Sequence, residues 1–410
     1  MRNNMEYPII IIGGGAAGLM AATTAALYGK KVLVLEKMPR PARKIMITGK
    51  GRCNLTNNTD LNGLIANTCR NGRFLYSAFS RFGAEDTIAF FERAGVPLKT
   101  ERGNRVFPVS DKSVDIVDGL VNSAKKAGVK ILNKEVADII TLDGAVSAVK
   151  CTDGTRFECE SLLIATGGKS YPTTGSTGDG YAFAKKLGHT ITDLRPSLVP
   201  MEVYEGFPEQ LSGLSLKNVS LTLKNGGKVC YKEQGEMLFT HFGISGPLVL
   251  SASAAMDKLS KDCKAYIDLK PALSEEQLDK RLLRDFEDCK NKELINSLDA
   301  LLPKKLIPPV IASAGVPPKT RVNALTKEQR LSLVKTLKAL PLTVTALRSY
   351  NEAVVTRGGV SVKEIDPKTM ESKLINGLFF AGEVIDVDAF TGGFNLQIAF
   401  STGYLAGENM

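Results

Sequence analysis

The sequence predicts an α/β protein in which a doubly wound sheet is interrupted by a β-barrel-like domain that itself carries a run of helices. Three observations predict it. Residues 7–37 read strand, glycine turn, helix, strand, acid. Residues 190–269 read as short alternating strands, and 274–338 as helical spacing broken by prolines. Residues 378–407 return to a strand that ends in glycines and opens a helix, so the C-terminal segment closes the first sheet. The expected boundaries are 1–192 and 346–410 for the doubly wound domain. The barrel-like domain takes 193–273 and 320–345, and the helical insertion 274–319, extendable to about 340.

The opening unit carries the most chemistry. The apolar run Ile9–Ile12 ends in Gly13-x-Gly15-x-x-Gly18, a small-residue helix follows, and Val32–Leu35 ends in Glu36. Gly13 allows a tight turn, Gly15 lets a pyrophosphate approach the backbone, and Gly18 lets the helix pack on the sheet. The helix N-terminus offers free N–H groups and a positive dipole end. Glu36 stands 18 residues after Gly18, close to the spacing of an acid that binds ribose hydroxyls. Together these features specify a dinucleotide site.

Bulk properties narrow the class. A chain of 410 residues with 43% apolar and 23% charged residues suits two or three globular domains. No apolar run is long enough to span a membrane, and the N-terminal one opens straight into the glycine turn, so a cytoplasmic enzyme is expected. The net charge of +10 suits anionic ligands. Lys37, Arg40, Arg43, Lys44, Lys50 and Arg52 cluster with no intervening acid. Nucleic acid is set aside, because no basic run interleaved with aromatics and no known reader motif occurs. Seven scattered cysteines without CxxC spacing, and only His189 and His241, argue against disulfides, dithiol chemistry and a metal site.

Along the chain, residues 38–58 form a loop rich in Arg, Lys, Thr, Asn and Gly, groups that donate to phosphates and to a flavin ring. Cys53 in this loop is expected to be packed rather than reactive. Residues 75–94 and 113–127 read as amphipathic helices. Residues 129–132, 136–142 and 145–151 read as a three-stranded antiparallel meander with a turn at Asp143-Gly144. SLLIATGG brings a second strand–glycine junction at Ala165-Thr166-Gly167, and LFFAGE a third at Gly382-Glu383, before a helix opening at Phe394-Asn395-Leu396.

At this point the segments GGGAAGLMAA, EKMPRPARKIMITGKGRCNLTN, LLIATGG, MLFTHFGISGP, VTRGGVSVKEIDPKTMESK and LFFAGEVIDVDAFTGGFNLQ carry a resemblance. Together they resemble the bacterial aminoacetone-oxidase-like and bile-acid 3-dehydro-Δ4,6-reductase-like family of FAD-dependent oxidoreductases, across the whole chain and in order. The resemblance implies a Rossmann-like FAD-binding domain split by a barrel-like domain. By motif match, Glu36 would hold the adenosine ribose, and Gly13, Gly15, Ala16, Ala17 and Gly18 the pyrophosphate. Val136 would meet the adenine through its backbone. Ala165, Thr166, Gly167, Gly382, Glu383, Phe394, Asn395 and Leu396 would face the rest of the cofactor, with Lys37, Arg43, Lys44, Gly49, Arg52 and Cys53 along its other side. Ala42 and Lys50 stand where this family more often has glycine.

The flavin would carry the redox chemistry. No second complete GxGxxG occurs, since Gly178-Asp179-Gly180 lacks the third glycine, so NADH or NADPH would bind only transiently. The first reading is hydride transfer from NAD(P)H through the flavin to an activated, enone-type C=C of a small molecule, completed by an acid. Candidate acids are Tyr171, Tyr350 and, first, His241. The alternatives are an amine oxidase that reduces O2 and an FAD-binding module with an RNA or protein partner.

Overall fold

The computed structural model describes residues 6–410 and separates into two compact units, Met1–Ser197 with Ser349–Met410, and Leu198–Arg348. In the first unit the apolar runs form a five-stranded parallel sheet. Its strands are Ile9–Ile12 (β1), Val32–Glu36 (β2), Lys130–Asn133 (β3), Ser161–Ile164 (β4) and Leu378–Phe380 (β5), in the order β5-β4-β1-β2-β3. β1 is central and buried on both faces, which is why it reads as four isoleucines without alternation. Ile12, Ile164 and Phe380 stand side by side in register. The three glycine junctions that follow them therefore share one edge of the sheet.

Ala16–Leu27 (α1) and Phe394–Asn409 (α3) are buried over most of their length, unlike the amphipathic Ser113–Lys126 (α2). The two buried helices meet backbone to backbone. A Cβ on Gly403 would stand 2.3 Å from the Ala17 carbonyl oxygen, and one on Gly407 2.3 Å from that of Ala21. Two glycines one turn apart facing two alanines let the C-terminal helix lie against the helix of the glycine fingerprint. Buried Gln397 on α3 is satisfied: its Oε1 accepts from Thr56 and Thr87, and its Nε2 donates to the Phe82 carbonyl and Ser401.

Two expectations need correction. The strand near 130 does not belong to the meander. It follows α2 as a crossover and pairs in parallel with β2, and the third meander strand is Arg156–Glu158. The 38–58 loop also contains a short helix, Arg43–Ile47, and a tight turn at Thr48–Gly51.

The second unit is a closed six-stranded barrel in the order 201–203, 243–245, 228–240, 215–225, 264–268, 340–347. The stretches 229–232 and 237–240, which read as separate strands, are one continuous strand, Lys228–Thr240. Three α-helices, Glu275–Glu287, Ile307–Ser313 and Lys327–Lys338, form the insertion. Their Leu278, Leu282, Val310, Ile311, Leu333 and Leu337 join the barrel's own apolar residues in a single core.

Candidate active site

The three glycines of the fingerprint do three different things. Gly13 takes φ +103°, and a Cβ there would lie 2.6 Å from the Ala165 carbonyl oxygen. One on Gly18 would lie 2.0 Å from the Gly13 carbonyl oxygen. Both positions are closed by protein. A Cβ on Gly15 would meet nothing within 4 Å, so this position is open to a ligand at the start of α1. The first turn of α1 holds no acid, which leaves its positive dipole end for an anion. Glu36 is held at the same place: Oε2 accepts from Gly14 N–H and Oε1 from Met38 N–H, each at 2.7 Å. Each oxygen keeps a second lone pair for a hydroxyl.

The basic segment is largely neutralised from elsewhere. Lys37 pairs with Asp179, Arg40 with Asp118, and Lys44 with Glu383. Arg52 pairs with Glu101 and Asp111 and stacks over Phe107, its guanidinium carbon 4.2 Å from the ring centroid. The charge of Arg52 is thus offset within the protein, its donors being taken by two carboxylates. Among the described residues, half-buried Arg43 and exposed Lys50 have no ion pair. Ala42 and Lys50 both adopt left-handed backbone, φ +58° and +57°, where glycine is least strained. Gly49 is likewise left-handed in the same turn. Cys53 is fully buried, and burial pushes its thiol up to about 12. It is a packed residue with no free nucleophile.

At the other two junctions the protein supplies its own partners. The Glu383 carboxylate accepts from Lys44 Nζ at 2.6 Å, Ser170 Oγ at 2.9 Å and Thr356 N–H at 2.7 Å. It ties the basic segment to the Gly382 turn. Gly382 N–H donates to Thr402 on α3. Asn395 folds back to bond Ala389 N–H and carbonyl, and so fixes the loop before α3, while Phe394 is buried and Leu396 half-buried beside it. Ala165 is buried, its N–H donating to the Ile12 carbonyl, and Gly167 is left-handed. Val136 opens the meander strand opposite Cys151. Of the six buried polar atoms without a protein partner among the described residues, Thr166 Oγ1 and Asn54 Oδ1 lie on the glycine junction and the basic loop. Orphaned groups of this kind mark places where a bound molecule completes the hydrogen bonding. Thr166 stands at the second glycine junction. Asn54 follows Cys53 in the basic loop and was not among the residues expected from sequence to face the cofactor.

Two of the candidate acids are neighbours in the first unit, and the third belongs to the second unit. Tyr171 sits at the Ser170–Pro172 corner in the left-handed region, φ +52°, and its N–H donates to the Tyr350 carbonyl. Burial raises both phenols, so each keeps its proton at neutral pH. His241 lies in the second unit at the turn after the long strand, exposed, with its ring edge on Phe242.

A buried acid is also present. Asp388 is 1% exposed, and its Oδ2 accepts from Ser197 Oγ at 3.0 Å while Oδ1 has no partner. Burial pushes its carboxyl up to about 6 against the pull of Arg357. The folded chain thus holds this proton more tightly than the unfolded chain. The stabilisation is complete below the ordinary value of 3.8 and is lost as pH rises through about 6. Asp388→Asn is expected to raise the melting temperature at pH 8, with a gain of at most about 3 kcal/mol, and to match the parent at pH 4. Thermal melts at the two pH values check this.

With this geometry in view, the HI0933-like protein Rossmann domain family matches residues 7–409. The chain belongs to this family. Similar proteins cover it end to end. The 3-dehydro-bile acid Δ(4,6)-reductase of Clostridium scindens is 32% identical over 406 residues, 97% of each chain. The ribosomal RNA dihydrouridine synthase of Haemophilus influenzae is 35% identical over 402 residues, 96% of each. That of Escherichia coli is 32% identical over 418 residues, 99% of this chain and 98% of the other. Among solved structures, a 3-ketosteroid-Δ4-(5α)-dehydrogenase from Rhodococcus jostii superposes with a TM-score of 0.54 at 18% identity, over 100% of this chain and 98% of that one. A flavocytochrome c3 fumarate reductase gives 0.54 at 18%, over 99% and 78%. At that identity these structures bear on the fold alone.

This HI0933-like chain is an FAD-dependent oxidoreductase with a Rossmann-like cofactor domain. Its residues fit the cofactor. The space at Gly15, the held carboxylate of Glu36, the unpaired Arg43 and the orphaned Thr166 Oγ1 lie on segments that meet at one sheet edge. Among the described residues no helix is long and apolar enough to cross a membrane, and no cluster suits a metal.

Proposed function

We propose that this chain uses NADH or NADPH to saturate a C=C bond conjugated with a carbonyl. The observation that carries the reading is the full-length similarity, at about one-third identity, to two kinds of enzyme whose names describe one chemistry. A 3-dehydro-Δ(4,6) compound and a uracil ring both place an olefin next to a carbonyl, and both become saturated there. Bound FAD supplies the carrier that takes a hydride from the donor and delivers it to the olefin.

The chain's residues supply the rest. The start of α1 and Arg43 would hold the pyrophosphate of bound FAD, and Glu36 its ribose. The N-terminus of α3, with its free N–H groups, would stabilise negative charge on the reduced cofactor. The hydride enters the β-carbon, negative charge gathers on the carbonyl oxygen, and a proton must reach the α-carbon. Tyr171, Tyr350 and His241 are the candidate donors, and the two phenols stay protonated through neutral pH. With no second glycine fingerprint, the nicotinamide binds only transiently.

Anaerobic mixing of the FAD-loaded protein with NADH and with NADPH tests the reading. One of the two should bleach the flavin absorbance within seconds, and a carbonyl-conjugated olefin should restore it. No bleaching by either donor would overturn the reading, as would reoxidation by O2 but by no carbonyl-conjugated olefin. Tyr171→Phe, Tyr350→Phe and His241→Asn should separate the steps: the variant lacking the donor bleaches normally and is slow only in reoxidation by the olefin.

A small enone is the first form of this substrate and the uracil ring of an RNA the second: the two dihydrouridine synthases are as similar to the chain as the bile-acid enzyme and over the same length.

A further inference from the structure

Asp388 is a buried acid whose charge costs the fold stability, which invites a question about its use. It lies on the two-residue strand Asp388–Ala389, which runs antiparallel to Thr68–Arg70 with Asp388 opposite Arg70. The strand Val355–Arg357 packs on it and is itself paired with Arg195–Ser197. All four segments belong to the first unit. The charged and titratable groups they turn toward the Asp388 carboxyl are Arg357, Arg70, Asp386 and the Cys69 thiol, with the Ser197 hydroxyl. Arg195, on the same ribbon, is turned to Asp193. Burial pushes the Cys69 thiol up to about 12, so it stays neutral. Asp386 and Arg357 are buried, and Arg70 reaches Asp386 Oδ2 at 3.8 Å from a side chain that is 35% exposed.

Two arginines and two aspartates make this cluster neutral when both acids are ionised, and singly positive when Asp388 is protonated. The place for that proton is defined. Asp388 Oδ2 accepts from Ser197, whereas Oδ1 has no partner, and neither has Oδ1 of Asp386. The cluster also adjoins the cofactor segments on two sides. Ala389, the next residue, is gripped through both its N–H and its carbonyl by Asn395 in the first turn of α3. Thr356, beside Arg357, donates its N–H to Glu383 at the third glycine junction.

We propose that Asp388 takes up a proton from solvent as the cofactor is reduced and gives it up, through the donor that touches the substrate, to the α-carbon of the product. This role rests on the reading that the chain saturates a carbonyl-conjugated C=C. In that reaction a hydride passes from the nicotinamide by way of FAD to the β-carbon, and the nicotinamide leaves oxidised. The π bond breaks, and the α-carbon takes one proton to complete the second C–H bond. Asp388 stores that proton between the two half-reactions, and the partly exposed Arg70 marks the edge at which solvent meets the cluster. The driving force is charge compensation. A unit negative charge even about 10 Å from a carboxyl, at an effective dielectric constant of about 20, favours its protonated form about fifteenfold. That carries a carboxyl already raised by burial to about 6 up to about 7. Between those values Asp388 is ionised before reduction and protonated after it.

The test compares the full FAD-loaded chain with its Asp388→Asn and Asp386→Asn variants. Midpoint potentials of the bound cofactor are followed by spectroelectrochemistry from about pH 5 to 9, which needs no nicotinamide. One further proton per two electrons shifts the reduction equilibrium tenfold more per pH unit, about 30 mV. Relative to Asp388→Asn, the parent's potential should fall more steeply over roughly one pH unit above 6, by about fifteenfold in the equilibrium in total. Asp386→Asn should keep the extra slope. Infrared difference spectra at neutral pH give a second measurement: on reduction the parent should gain a protonated-carboxyl band that Asp388→Asn lacks. Parallel potential curves for the parent and Asp388→Asn would overturn the proposal, as would loss of the extra slope in Asp386→Asn alone. The infrared measurement on the parent stands without any variant, and no new carboxyl band would overturn the proposal too. The two readings fail separately. Bleaching by NAD(P)H and reoxidation by an olefin, with parallel potential curves, remove the proton store and leave the reaction. The steeper slope in a protein that no nicotinamide bleaches does the reverse.

Discussion

Gly15→Ala is expected to leave the protein folded and strip it of FAD, whereas Gly403→Val should damage both fold and cofactor binding. The difference follows from what a side chain would meet. A Cβ on Gly15 touches no protein atom within 4 Å, and the residue has φ −83° and ψ −167°, which alanine adopts without strain. The new methyl group fills only the space a pyrophosphate would use. FAD should be lost on dilution while the melting temperature of the cofactor-free protein stays within about 1 °C of the parent. At Gly403 the first added atom would lie 2.3 Å from the Ala17 carbonyl oxygen and 3.0 Å from its carbon. Backbone cannot rotate aside, so α3 must lift from α1. Overpacking of this kind costs about 3 kcal/mol, roughly 5–10 °C for a unit of this size. It also displaces the α3 N-terminus and the Thr402 hydroxyl that holds the Gly382 turn. Differential scanning fluorimetry with and without added FAD, together with the flavin-to-protein absorbance ratio, reads both outcomes. A Gly15→Ala protein that purifies fully yellow would refute the placement of the pyrophosphate.

Glu36→Ala should weaken FAD binding by about a hundredfold. The carboxylate does two things: it receives Gly14 and Met38 N–H on its two oxygens, and it faces the position of the ribose. Charge-assisted hydrogen bonds contribute about 1.5–3 kcal/mol each. Removing the acceptor frees the glycine turn and removes the ribose contact together. Glu36→Gln keeps one acceptor oxygen and should fall between the two. The measurement is the flavin fluorescence released on dilution, titrated back with FAD. Equal retention by Glu36→Ala and the parent would place the ribose elsewhere.

The parts of this molecule that follow from local pattern are legible in its sequence, and the parts that follow from distant pairing are not. The four isoleucines of β1, the fingerprint and Glu36 announce themselves because strand, turn and helix are adjacent in the chain. The strand at Lys130–Asn133 reads as part of the meander because neighbouring strands usually pair with each other, and nothing local says that this one prefers β2, nearly one hundred residues earlier. Arg52 reads as a free cation until Glu101 and Asp111, some 50 and 60 residues away, are brought to it. Gly403 and Gly407 look like poor helix formers, and only the close approach of Ala17 and Ala21 explains them.

The contact between α1 and α3 has a consequence in time. The central strand β1 is made first and β2 follows at once, but its other neighbour β4, the edge strand β5 and the helix that seals α1 arrive with residues 161, 378 and 403. At about 5–20 residues per second, the four isoleucines wait roughly 20–80 s for the last of these. During that interval β1 has at most one of its two neighbouring strands until β4 is made, and the cofactor has no finished socket to enter. Loading of FAD is thus a late event in the life of the nascent chain. Any shortage of the vitamin would leave the completed polypeptide as the species that chaperones and proteases must sort.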